Sequence, residues 1–163
     1  MTLKKVLAGV TAFLIMAAPV TMNENVNSMI MTGITANALD SIQSEGYTFD
    51  KSTGTITKYS GSETEVKIPS EIDGVTVTGI GAEAFMSCQK IKSIVIPDTV
   101  KTIGEYAFHG CLSLSGITLG KSVESIGERA FNNCKGLTSI VIPDSVTSIG
   151  DDCFYECGRL QTI

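Results

Sequence analysis

"IGERAFNNCKGLTSIVIPDSVTS", residues 126–148, holds one phenylalanine, one cysteine and an aliphatic run broken by proline. The stretches on either side share its skeleton. "IGAEAFMSCQKIKSIVIPDTVKT" (80–102), "IGEYAFHGCLSLSGITLGKSVES" (103–125) and the incomplete "IGDDCFYECGRLQTI" (149–163) align with it without a gap. The Ile-Gly pair falls at Ile80, Ile103, Ile126 and Ile149, a constant period of 23 residues. Phe85, Phe108, Phe131 and Phe154 form one column; Cys88, Cys111, Cys134 and Cys157 form a second; Ile94, Ile117, Ile140 and Ile163 form a third. Self-similarity of this kind decides the architecture before local propensity does.

One unit has a simple internal grammar. "SIVIP" is β-branched and ends at a proline that cannot donate to a ladder, so it reads as a short strand. "TSIG" and "ESIG" read as a second short extended piece stopping at glycine. "ERAFNNC" carries an acid early and Ala-Phe behind it, the pattern of one helical turn favoured by negative charge at its N-terminus. Such a unit has too little apolar surface to fold alone. Stacking copies at strand spacing, about 4.8 Å, sets each Phe on the next Phe and each Ile on the next Ile. The expected fold is a solenoid of short parallel strands with short helical turns.

The period lies in the range of leucine-rich repeats. The pattern Ile-Gly-x-x-Ala-Phe-x-x-Cys-x-x-Leu-x-x-Ile-x-Ile-Pro-x-x-Val over residues 80–163 resembles the BspA-like type of bacterial surface proteins. The preceding segment resembles the opening module of the same proteins: "VKIPSEI" (66–72) parallels "IVIPDTV" (94–100), with Asp73-Gly74 inserted as a hairpin turn. Residues 39–79 are therefore expected to form an N-terminal cap and partial repeat. The resemblance implies a secreted or cell-surface protein that binds or adheres to an extracellular protein or glycan.

The N-terminus supports export. Lys4 and Lys5 precede an uncharged apolar run from Val6 to Val20, shorter than a membrane span and closed by Pro19. Ala36-Asn37-Ala38 has the small-x-small form of a cleavage site, so residues 1–38 read as a signal peptide and Leu39 as the first residue of the mature chain. No transmembrane anchor is expected, and no sorting motif or cell-wall module is visible.

Composition limits the partners. The formal net charge of −5 offers no basic stripe, which speaks against nucleic acid and anionic membranes. The cysteines stand 23 residues apart with no Cys-x-x-Cys pair and a single His in the chain, so a metal site is not expected. Side chains in register point the same way, which keeps Cβ atoms farther apart than a disulfide prefers. Cys153 occupies the column of Ala84, Ala107 and Ala130, a compact apolar position. All five cysteines accordingly read as buried free thiols. Glu105, Glu128 and Asp151 read as turn or helix-terminus acids, as do Asp98 and Asp144, and His109 reads as solvated. No catalytic motif occurs, so neither an enzyme nor a cofactor is expected. What remains is the outward side of the repeated strand: Ser93, Val95, Gly116, Thr118, Ser139, Val141 and Thr162, a flat strip of small residues suited to binding. Tyr47, Tyr59, Tyr106 and Tyr155 are its candidate aromatic platforms. A non-catalytic accessory role in an extracellular carbohydrate-degrading system is the alternative.

Overall fold

The computed structural model describes residues 41–44 and 46–163; the expected leader and its cleavage site lie outside the described residues. The N-terminal segment supplies β1 (Ser41–Ser44), β2 (Tyr47–Asp50), β3 (Thr55–Tyr59), β4 (Glu65–Lys67), β5 (Glu71–Ile72) and β6 (Val75–Thr76). The repeats supply β7 (Gly79–Ile80), β8 (Ser93–Val95), β9 (Thr102–Ile103), β10 (Gly116–Thr118), β11 (Ser125–Ile126) and β12 (Ser148–Ile149). Seven strands form one sheet in the order β1-β2-β3-β7-β9-β11-β12, parallel from β3 onward. Its register runs Ile56, Ile80, Ile103, Ile126, Ile149, so the isoleucine of each Ile-Gly pair lies on the next. A second parallel sheet, β4-β8-β10, aligns Val66, Ile94 and Ile117. The β5–β6 hairpin turns at Asp73-Gly74, both with positive φ, as a two-residue hairpin turn requires. The architecture is a β-solenoid with turns of about 23 residues, as the repeat predicts.

The helical turn is a correction. No described residue is helical, and Glu83–Cys88 and its copies instead form successive β-turns. Ala84, Met86 and Cys88 donate their N–H to the carbonyls of Gly81, Glu83 and Phe85, three residues back. The alternate groups, Glu83, Phe85 and Ser87, donate to Glu105, Ala107 and His109 of the next repeat. Tyr106, Phe108 and Gly110 repeat this towards Glu128, Ala130 and Asn132. A helix would have kept these hydrogen bonds within one repeat. Sending half of them to the neighbour requires left-handed backbone at Glu83 and Ser87, Tyr106 and Gly110, Arg129 and Asn133, and Asp152 and Glu156. For a non-glycine residue that conformation costs roughly 1–2 kcal/mol, offset here by the ladder it makes possible. The acids at 105, 128 and 151 therefore have no helix terminus to serve.

The glycine column fixes how close repeats come. A Cβ on Gly104, Gly127 or Gly150 would lie 2.6, 2.6 and 2.4 Å from the backbone nitrogens of Ala82, Glu105 and Glu128. No larger residue fits without moving the repeats apart. At this spacing the rings stack: Tyr59–Phe85, Phe85–Phe108, Phe108–Phe131 and Phe131–Phe154 centroids are 4.9, 5.0, 5.3 and 5.6 Å apart. Tyr59 thus closes the first end of the phenylalanine column, with Tyr47 packed against it at 5.2 Å. Phe85, Phe108 and Phe131 are fully buried, whereas Phe154 is partly exposed.

The cysteine column makes its own hydrogen bonds. Cys111, Cys134 and Cys157 donate Sγ–H to the carbonyls of Phe85, Phe108 and Phe131 at 3.2, 3.2 and 3.0 Å, each reaching back one repeat. All five cysteines are free thiols; Cys88 is half-buried and the rest are buried. Burial, reinforced by Cys88, pushes the Cys111 thiol from 9.0 up to about 12, and burial takes Cys153 to about 11. The Cys157 thiol beside it, together with burial, drives Cys134 upward as well.

Two predictions follow from this packing. Phe131→Ala should lower stability in urea unfolding by about 3–5 kcal/mol and Phe154→Ala by clearly less; equal losses would contradict one-dimensional stacking. The raised thiols hold protons that the unfolded chain releases near 9, so their contribution is complete below that pH and is lost as pH rises towards 12. Stability should fall above pH 9 by about 1.4 kcal/mol per pH unit for Cys111, and likewise for Cys153 up to its lower value near 11, and Cys111→Ala should flatten the fall. An unchanged slope in that variant would contradict it.

Candidate binding face

The β4-β8-β10 sheet turns its aliphatic side inward: Val66 and Ile94 are buried and Ile117 is partly so. Alternation then sends the flanking residues outward. Gly116 pairs with Ser93 and Thr118 with Val95, so these four of the expected strip share one face. Ser139 pairs with Thr162 by a single parallel bridge. Between β10 and Ser139 the strand ladder lapses, and the repeats are linked there by Thr138 Oγ1 donating to the Ser115 carbonyl at 3.5 Å. Val95 is 40% and Val141 80% exposed, so the two apolar members of the strip stand in solvent. Ser93 and Gly116 are half-buried beside them, and Ser139 is exposed.

The strip also has two charged members outside the sequence-based set. Glu65 lies opposite Ser93 and Lys67 opposite Val95. The match of "VKIP" to "IVIP" already held this information, since the residues flanking an inward Val66 must point outward. Next to these strands lies a cleft of about 360 Å³ lined by Tyr47, Tyr59, Glu63, Glu65, Val66 and Lys67. The Tyr59 hydroxyl donates to the Glu63 carboxylate. Burial, then Glu63, push that hydroxyl's pKa up, while the bond from Tyr59 draws Glu63 down.

The tyrosines correct another expectation. Tyr47 and Tyr59 are buried at the cap, and Tyr106 is half-covered by the Arg129 guanidinium, 5.8 Å from its ring centroid. Only Tyr155, 60% exposed, is left as an open platform among the four. Arg129 Nη1 donates to the Tyr106 hydroxyl at 2.6 Å, and Nε and Nη2 donate to Asp152 Oδ2 at 3.1 and 2.8 Å. One side chain from each of three successive repeats is thereby tied together on the turn side. His109 is half-buried rather than fully solvated: its ring meets Tyr106 edge-on at 5.6 Å, and its buried Nδ1 has no hydrogen-bond partner among the described residues. Asp98 serves a turn, its Oδ1 accepting the Lys121 N–H at 2.8 Å. Among the described residues no group of three or more His, Cys, Asp or Glu is placed to hold a metal ion, and no helix is long and apolar enough to cross a membrane.

Comparison with known proteins agrees with this geometry. A family model described as "BspA type Leucine rich repeat region (6 copies)" matches residues 78–163. Among solved structures, a leucine-rich repeat protein from Bacteroides capillosus is 35% identical, with 68% of this chain and 87% of that one covered and a TM-score of 0.63. A T. pallidum leucine-rich repeat protein is 31% identical, covering 65% and 60%, with a TM-score of 0.59. A leucine-rich cell surface protein from Faecalibacterium prausnitzii is 30% identical, covering 75% and 41%, with a TM-score of 0.61. The chain thus spans less than two thirds of the length of the last two. No curated protein matches it. With repeat, register and family model in agreement, the chain belongs to the BspA-type leucine-rich repeat family.

Proposed function

We propose that this is a secreted or cell-surface protein that binds an extracellular protein or glycan through the outward face of β4, β8, β10 and the Ser139–Val141 stretch. The observation that carries this is the strip itself: small residues along the outward side of the repeats, interrupted only by the exposed Val95 and Val141, with one acid and one base at its first strand. A sheet face of this form lets a ligand approach without moving any core column, and recognition then rests on several modest contacts. The relative described as a leucine-rich cell surface protein supports the location. The function is non-catalytic: no nucleophile, base and polarising group converge on the strip. Nucleic acid is not the ligand, given the acidic balance of the chain.

Glycan and host-protein arrays probed with the full chain would supply the ligand. The double variant Thr118→Glu, Val141→Glu places charge at the centre of the strip while leaving the Phe and Ile columns intact. It should stay folded and lose roughly 1–3 kcal/mol of affinity for the array ligand. Unchanged affinity in the folded variant would move the site elsewhere, and turnover of the ligand would reject the non-catalytic role.

A further inference from the structure

Among the described residues, the first strand of the small sheet has an unpaired edge. Thr64 accepts from Lys92 and Ser93, and Ile68 donates to the Val95 carbonyl, so the even-numbered residues of this stretch direct their backbone groups at β8. In a parallel strand the intervening residues point the opposite way. The N–H and C=O of Glu65 and Lys67 therefore face the open side, where the 360 Å³ cleft lies. The N-terminal hairpins cover the other sheet by pairing β3 with β7, and no described strand pairs with this edge. Both side chains are exposed, and Pro69, lacking an N–H, limits the pairing edge to Glu65–Lys67.

We propose that this edge pairs with the same edge of a second copy, β4 against β4 in antiparallel fashion about a two-fold axis through Val66. The sequence of the edge is self-complementary in that arrangement. With Val66 opposite the partner's Val66, Glu65 lies opposite the partner's Lys67, and Lys67 opposite the partner's Glu65. Directly opposed residues of an antiparallel pair whose polar groups face each other exchange both N–H···O bonds. The four outward backbone groups of each chain are then satisfied, and two opposite-charge pairs form on one face. A parallel arrangement cannot do this under a two-fold axis, and an isologous contact needs a self-complementary patch. Pairing also joins the two small sheets into one, so two binding strips become a continuous surface. The contact is small beside the ~1,200–2,000 Å² of ordinary stable interfaces, which places it among weak, concentration-dependent associations. It stands on the backbone edge and its charges, not on the identity of the ligand.

Charge reversal tests it in the full chain by sedimentation over a range of concentrations, with circular dichroism as the check on folding. The wild-type chain should show a weak monomer–dimer equilibrium. Lys67→Glu sets four carboxylates around the axis and Glu65→Lys sets four ammonium groups there, so each variant alone should associate at least about tenfold more weakly. An equimolar mixture of the two should recover association as a heterodimer, and the double variant Glu65→Lys, Lys67→Glu should recover it alone. A wild-type chain that stays monomeric throughout would overturn the proposal and leave the edge to an extended segment of another protein. Dimerisation that is indifferent to Lys67→Glu, or single variants that fail to complement one another, would overturn it equally.

Discussion

The close approach of one backbone to the next at the Ile-Gly step sets every other dimension of this protein. Gly127 lies so near Glu105, and Gly104 so near Ala82, that a single methyl group would part the repeats. Only at that separation do the phenylalanine rings come within about 5 Å of each other, as stacked aromatics require. The same separation lets the Cys134 thiol reach the Phe108 carbonyl. It also lets the N–H of Phe108 reach Ala130 in the following turn. Apolar columns supply most of the driving force, while glycine sets the register in which they act.

The turn ladder gives the solenoid a direction that its strands lack. In a parallel strand, successive residues point to opposite neighbours and the peptide dipoles largely cancel. In the turns, each inter-repeat bond runs the same way, from the N–H of one repeat to the C=O of the following one. Three peptide groups per interface are thus aligned along the stack, with donors leading towards the last repeat. Tyr59 joins this order at the cap by donating to the Ala84 carbonyl. At the other end, the N–H groups of Asp152, Phe154 and Glu156 find no backbone acceptor among the described residues. Arg129, held between Tyr106 and Asp152, lies along the same side and ties three repeats across it.

Repetition made the fold legible. The columns of Ile, Phe, Cys and Gly each announce a stack, and β-branched runs before proline announce the strands. β8 lies where such a run predicted, β10 lies at the matching place in a repeat with Gly120 instead of proline, and the "SIVIP" of residues 139–143 forms only the Ser139–Thr162 bridge. The turn was not legible, because Glu-x-Ala-Phe satisfies helical propensity equally well. What overrides propensity is a bond to the next repeat, and no local window contains its acceptor. Tyr106 was misplaced for a related reason: it is judged by its neighbours in sequence, yet Arg129, which covers it, lies 23 positions away. The strip was half legible. Alternation named Ser93, Val95, Gly116 and Thr118, whereas Glu65 and Lys67 needed the register of β4 against β8.

Native-state hydrogen exchange on the wild-type chain and on Gly127→Ala tests the central claim most directly. In the wild type, the amides of Tyr106, Phe108 and Gly110 should exchange slowly, since each is bonded across the Gly127 contact to the next turn. In Gly127→Ala those three should lose protection well before the amides of Glu83, Phe85 and Ser87, whose bonds cross the preceding contact. Slow exchange at Tyr106, Phe108 and Gly110 that survives the substitution would contradict the account.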